Sequence, residues 1–240
     1  MNLKGAISAI DEHGMLLIFP IDNRPEPRSV WSVTYPKSKM RWEWDDGGDD
    51  RVGKLWHLRA DLSASGLVVY TKWYQGRATV FSRKAFTALL AGYLEAAGQQ
   101  GLSAHARIIL DILISDSPQS TKALRRETGL TGKANESIYE RALKELWARL
   151  LIVGFGEIEE GAFPSLAMGA SQVLFEDLYA KARSMSAKEA SAQREALFRS
   201  VPLARKYYEK TLPGTGNAPK AKAKRQKKAA DRGYIEFEDL

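Results

Sequence analysis

The chain has 240 residues, of which 44% are hydrophobic, and a formal net charge of +7 at pH 7. This length and composition suffice to bury one large core or two small ones. The absence of cysteine excludes disulfides, thiolate zinc sites and cysteine nucleophiles, and it fits an intracellular protein. The first apolar run is far too short to span a bilayer and no signal peptide is visible, so we expect a cytoplasmic protein without a membrane partner.

Residues 1–100 are predicted to form a mixed α+β N-terminal lobe. The apolar run GMLLIFPI at 14–21 is typical of a buried strand, and VWSVTYP at 30–36 of a second extended or short helical piece. LVVYTKWY and RATVFS flank the dipeptide QG, a pattern that predicts a hairpin with a tight turn. Helical spacing of apolar residues predicts helices over 49–66 and 83–98, each ending at a glycine.

Residues 101–183 have the order of elements of a winged helix-turn-helix. The first helix covers 103–116, and the second is capped by Ser120 and ended by Gly129. The third follows Gly132, and two strand-like runs joined by EEGAF then predict a hairpin, or wing. A packing helix closes this domain, an alanine-rich helical extension covers 184–212, and 213–240 is predicted to be a disordered basic tail.

The third helix has an apolar side and a polar side. The apolar positions recur at helical spacing and must face a core; they are Ile138, Ala142, Leu143, Leu146 and Leu150. The polar side comprises Lys133, Asn135, Ser137, Arg141 and Lys144. If the helix enters a DNA major groove, Lys133 and Lys144 suit phosphates and Asn135 and Arg141 suit base edges. Arg125 and Arg126 of the second helix would then contact the DNA backbone, whereas the alternatives are a solvated face or a dimer contact.

The basic tail is the second candidate for DNA contact. Six of the nine residues in KAKAKRQKK, 220–228, are positive, and Lys224, Arg225, Lys227 and Lys228 are its densest part. Such runs attract phosphates without reading sequence, or only keep a protein soluble. The terminal YIEFEDL is a possible docking peptide for a protein partner.

No catalytic constellation is evident, and we expect neither a metal nor a cofactor. The acidic cluster at Glu43, Asp45, Asp46, Asp49 and Asp50 lacks the spacing of a calcium loop, and capping of the next helix by Asp49 and Asp50 explains it more simply. The three histidines are scattered, without paired metal spacing.

Four tryptophans lie close to basic residues in the sequence, namely Trp42, Trp44, Trp56 and Trp73. Aromatic rings interleaved with cations suit base stacking. They suit an ordinary hydrophobic core at least as well, so we favour core packing and keep base stacking as the alternative.

The order of several motifs resembles the bacterial AlkZ-related proteins. These motifs are FPI followed by VW, the W-x-W-D of residues 42–45, and STKALRRETGL followed by GK and N. The resemblance covers about residues 14–205. The AlkZ-related proteins are winged-helix members of the superfamily that contains the AlkZ and YcaQ DNA glycosylases, so the resemblance implies a winged-helix scaffold with affinity for double-stranded DNA, including damaged DNA.

The resemblance also bears on catalysis. Active members of the superfamily carry a Gln-apolar-Gln or Gln-apolar-Asp motif, and the counterpart here places Leu17 and Phe19 at the polar positions. Neither side chain can orient a water, so we expect a nucleoid-associated DNA-binding protein of repair or genome maintenance rather than a glycosylase. The alternatives are a repair enzyme that uses Asp45 or Asp46, and a protein–protein adaptor or transcriptional regulator.

Overall fold

The structure is a computed structural model that describes residues 1–41, 50–159 and 164–213. These residues form helices and one antiparallel sheet, which confirms the mixed α+β class. The helices are α1 (Leu3–His13), α2 (Val30–Thr34), α3 (Asp50–Ala64), α4 (Arg83–Ala96), α5 (Ala104–Ser115), α6 (Thr121–Glu127), α7 (Lys133–Ala148), α8 (Ser171–Leu174), α9 (Glu176–Ser184), α10 (Ala187–Ser200) and α11 (Pro202–Thr211). The strands are β1 (Met15–Leu17), β2 (Val68–Thr71), β3 (Thr79–Ser82), β4 (Gln119–Ser120), β5 (Ile152–Glu159) and β6 (Pro164–Ala170).

A single six-stranded sheet joins the two halves of the chain. Its strand order is β1-β3-β2-β5-β6-β4, and β2 pairs with β5 through Tyr70 and Gly154. The predicted boundary at residue 100 therefore separates two groups of strands that share a sheet. The boundaries at 100, 183 and 212 stay predictions.

Helices cover both faces of the sheet. Alternation along β2 places Val68 and Tyr70 against α1–α3, whereas Val69 faces the core formed by α4 and α9–α11. Because Tyr70 pairs with Gly154, Ile152 lies on the same face as Tyr70, and Ile152 packs with α5–α7. The groups α1–α3 and α5–α7 are thus side by side on one face of the sheet.

Most predicted elements are confirmed. The predicted tight turn between β2 and β3, however, is wrong. The connection runs through residues 72–78 and contains a 3₁₀ turn at Tyr74–Gly76 rather than a tight turn. The hydroxyls of Thr71 and Thr79 accept the backbone N–H groups of Trp73 and Tyr74, at 3.1 and 3.3 Å. These hydrogen bonds turn the backbone away from the β2–β3 pairing after Thr71. The Trp73 ring is buried in the core.

The C-terminal helices belong to the main core. The buried indole of Trp73 donates from Nε1 to the Tyr93 hydroxyl at 3.0 Å, and that hydroxyl shares a 2.6 Å hydrogen bond with Thr211 Oγ1. Burial raises the pKa of Tyr93 well above its ordinary value, so the phenol stays protonated. Because Thr211 ends α11, this network fixes the last described helix to α4.

We expect Tyr93→Phe to lower the free energy of unfolding by about 1–3 kcal/mol, since it leaves the buried Trp73 N–H without its acceptor. Urea denaturation measures the change. Tyr179→Phe is the matched control, because Tyr179 is half-buried and its hydroxyl makes no hydrogen bond with the described residues. Equal losses for both variants would contradict the role of the network.

Candidate nucleic-acid interface

A short turn joins α6 to α7. Ser120 caps α6 by accepting the backbone N–H of Ala123 at 3.0 Å, as predicted. Gly129 follows the end of α6 with a φ of +68°, a conformation that disfavours side chains with a Cβ. Leu124 and Leu130 are buried on either side of this glycine, so the turn is anchored in the core that α5–α7 share.

The buried side of α7 differs in part from the predicted one. Ala142 and Leu146 are buried as expected, whereas Ile138 and Leu143 are only half-buried. Tyr139 and Trp147 take the core positions instead. The Tyr139 hydroxyl donates to the carbonyl of Thr121 at 3.3 Å, so it ties α7 to the start of α6.

The opposite side of α7 carries an exposed row of polar residues, which we call the α7 stripe: Lys133, Ser137, Arg141 and Lys144. Their spacings of four, four and three residues place them on one side of a helix, over about 16 Å. Arg141 donates from Nε to the Ser137 carbonyl at 3.1 Å. None of the three cations forms an ion pair with a described carboxylate, so all three are available to an anionic partner.

Two other predicted contacts are already engaged within the protein. Asn135 is half-buried and donates from Nδ2 to the Thr131 carbonyl at 3.0 Å. The Arg125 guanidinium lies 4.7 Å from the centre of the Tyr139 ring, within cation–π range. The sequence reasoning missed Lys122, which is exposed on α6 one turn before the exposed Arg126. Their four-residue spacing was the available signal.

The β5–β6 hairpin that follows α7 is anchored to α3. The Arg59 guanidinium pairs with Glu157 beside a β-bulge in β5, and the Gly156 N–H donates to Ser63 Oγ at 3.1 Å. Arg59 also lies 4.1 Å from the centre of the Trp56 ring. The Arg59 side chain is only 8% exposed, so its positive charge has lost most of its contact with water. The ion pair with Glu157 is the main interaction that stabilises this charge.

Leu17 and Phe19, which the resemblance was expected to place at the polar positions of the glycosylase motif, are both packed in the structure. Leu17 is fully buried and pairs with Thr79 in the sheet. Phe19 is half-buried against the core of α1–α3. Neither side chain offers a polar atom at this place.

The tryptophans have different environments. Trp73 is buried in the core, and the half-buried Trp56 contacts Arg59. Trp42 and Trp44 lie outside the described residues.

Several other candidate positions also lie outside the described residues. They are Glu43, Asp45, Asp46 and Asp49, and the tail residues Lys224, Arg225, Lys227 and Lys228. Asp50 occupies the first turn of α3. Within the described ranges, no group of three or more His, Asp or Glu side chains is placed to hold a metal ion.

The fold and this site define a mixed α+β protein that presents a helix with an exposed row of three cations next to an antiparallel hairpin. The family model described as AlkZ related matches residues 1–211, and the chain belongs to that family. Comparisons with curated proteins and with solved structures gave no match. No helix among the described residues is both long and apolar enough to cross a membrane.

We expect Glu157→Ala to lower the free energy of unfolding by about 3 kcal/mol, because it leaves the buried Arg59 charge without its partner. Glu159→Ala is the control: Glu159 is exposed on the same strand, and its loss should cost within roughly 0.5 kcal/mol. Thermal or urea denaturation of both variants measures the difference. A Glu157→Ala protein as stable as the Glu159→Ala protein would show that the ion pair does not hold the hairpin.

Proposed function

We propose that this protein binds double-stranded DNA through a winged helix-turn-helix formed by α5–α7 and β4–β6, and that it acts in DNA repair or genome maintenance. The α7 stripe is the observation that carries the proposal. Three cations and a serine lie in one exposed row on α7, which would be the second helix of the proposed helix-turn-helix, the position of the recognition helix in DNA-binding proteins of this kind. Location on the nucleoid follows from this proposal.

The stripe suits the dimensions of a DNA groove. The α7 helix has 16 residues and is therefore about 24 Å long, and a major groove about 12 Å wide admits a helix. We assign Lys133 and Lys144 to phosphates. Arg141 lies between them in sequence and is assigned to a base edge or a phosphate, with Ser137 as its neighbour.

The α6 residues would contact the DNA backbone beside the groove. Arg126 and Lys122 are exposed and one helical turn apart, so they are suited to neighbouring phosphates. To contact DNA, Arg125 would have to leave the Tyr139 ring, and Asn135 would have to give up its hydrogen bond to the Thr131 carbonyl. We therefore propose that both contribute less than the stripe does.

Binding rather than base excision is favoured by Leu17 and Phe19. A glycosylase needs polar groups to orient water and to stabilise the developing sugar cation, and these two positions supply none. Membership of the AlkZ-related family supports the link to DNA repair. We therefore propose that the protein recognises DNA and that the segment containing Leu17 and Phe19 does not cleave a glycosidic bond.

We expect Arg141→Glu to weaken duplex binding about tenfold or more at low salt, since it removes one cation and places a carboxylate against phosphates. Lys144→Ala should cost less, because it removes at most one cation from the phosphates. Fluorescence anisotropy with a labelled duplex at several salt concentrations measures both effects.

The matched control is Lys188→Glu, which makes the same change of charge at an exposed position on α10, on the other side of the sheet. It should leave DNA affinity nearly unchanged. None of these surface substitutions should alter thermal stability by more than roughly 0.5 kcal/mol. Equal affinities for Arg141→Glu and Lys188→Glu, with unchanged melts, would show that α7 contacts something other than DNA.

Deletion of residues 213–240 should weaken DNA binding without changing which DNA is preferred. Its clustered cations would bind phosphates, which carry no sequence information. The slope of log K against log salt should become shallower by about 0.9 for each phosphate that the tail no longer neutralises. A truncated protein that binds as tightly at every salt concentration would assign the tail to a protein partner instead.

A further inference from the structure

A cavity of about 480 Å³ lies at the β1 edge of the sheet, away from α7. Its walls come from His13 at the end of α1, from the loop at 20–28, and from α2 with the residues that follow it. The cavity is within the size range of small-molecule sites in proteins. Nothing in the proposed DNA contact of α7 uses it.

A tight turn builds one wall of the cavity. Asp22 and Asn23 both have positive φ values, 50° and 54°, and the Arg24 N–H donates to the Ile21 carbonyl at 2.8 Å. These are the features of a type I′ turn. The Asn23 amide then holds the backbone of Met40 from both sides, with Nδ2 donating to its carbonyl at 3.0 Å and Oδ1 accepting its N–H at 2.6 Å. Asp and Asn tolerate these positive φ values better than other residues with a Cβ, so the turn and the Asn23 hydrogen bonds to Met40 give this wall a defined shape.

An aromatic pair builds the opposite wall. The rings of Trp31 and Tyr35 lie 4.9 Å apart, and the Arg51 guanidinium is 5.1 Å from the centre of each. Trp31 donates from Nε1 to the Ser38 carbonyl at 3.0 Å, and Arg51 donates to Ser38 Oγ at 2.8 Å. Both residues line the cavity, and Trp31 is almost fully buried whereas Tyr35 is half-buried. The wall therefore offers a fixed aromatic ring to a planar ligand.

Two arginines line the cavity. The Arg24 guanidinium is 3.6 Å from Asp22, and Arg28 Nε is 3.3 Å from Glu26. All four side chains are at least 45% exposed, so these ion pairs are weak and can give way to a stronger anion. Guanidinium groups prefer phosphate because they bind it through two parallel hydrogen bonds.

We propose that this cavity binds a nucleotide, with its phosphate on Arg24 and Arg28 and its base against the Tyr35 ring. The two guanidinium groups would bind an anionic group, and the aromatic ring beside them would stack on a planar one. A nucleotide contains both groups in one molecule. Glu26 also lines the cavity and supplies a carboxylate for the polar edge of a base or sugar.

The position of the cavity favours a nucleotide of a DNA strand over a free one. The helices α1–α3 and α5–α7 cover the same face of the sheet, and three strand spacings separate β1 from β5, against which α7 packs. That distance across the sheet is about 14 Å, or about four base pairs of DNA. A duplex held by α7 thus has the reach to bring a terminal or unpaired nucleotide to the cavity. The preference for a nucleotide of a DNA strand rests on the proposed DNA binding by α7. The proposal that the cavity binds a nucleotide does not depend on it.

Calorimetric titration of the full chain with dAMP, deoxyadenosine, inorganic phosphate and a tri-glutamate peptide tests the site. We expect dAMP to bind more tightly than each of the other three, and Arg28→Glu to weaken dAMP binding about tenfold or more. Lys4→Glu is the matched control, because Lys4 is exposed on α1 and does not line the cavity. It should leave dAMP affinity unchanged.

The proposal is overturned if dAMP does not bind, if phosphate or the peptide binds as tightly as dAMP, or if Arg28→Glu and Lys4→Glu behave alike. Duplexes with blunt ends and with single-stranded overhangs then distinguish the source of the nucleotide. A preference for the overhang that Arg28→Glu abolishes assigns a DNA strand, and equal affinity for both duplexes assigns the free nucleotide. Arg141→Glu should leave dAMP binding unchanged, so failure of the α7 interface and failure of this site give different results.

Discussion

The pairing of β2 with β5 joins the two halves of the described chain into one sheet. It runs through Tyr70 and Gly154, and a Cβ added at Gly154 would lie 2.5 Å from the Tyr70 ring. Only glycine lets the ring lie over the β5 backbone at this point. One residue pair thus fixes where the hairpin after α7 sits relative to the N-terminal strands.

A second contact reinforces this junction from the face of the sheet. Arg59 and Ser63, on neighbouring turns of α3, hold Glu157 and Gly156 just beyond the pair. The hairpin therefore has little freedom to rotate away from α3. A rigid hairpin matters for the proposed function because a DNA-binding helix and its wing must keep a fixed spacing to meet one duplex.

Local features of the structure could be predicted from the sequence, and non-local ones could not. The α7 stripe follows from helical spacing alone, because exposure on an isolated side of a helix depends on few other residues. Asn135 does not belong to the stripe because it lies two residues after Lys133 and so on another side of the helix, where it donates a hydrogen bond to the Thr131 carbonyl. The pairing of Tyr70 with Gly154 joins residues far apart in the chain, and no periodic pattern indicates it. The cavity was missed for the same reason, because its walls come from α1, the loop at 20–28 and α2 together.

Hydrogen exchange of the full chain with and without a plain duplex tests the central claim most directly, since it locates the contact without any substitution. Slower exchange should appear in α6, α7 and the β5–β6 hairpin, while α10 on the other side of the sheet should be unchanged. The reference is the same protein at equal salt with no DNA. Protection that appears on α10 but is absent from α7, at a DNA concentration that saturates binding, would contradict the account.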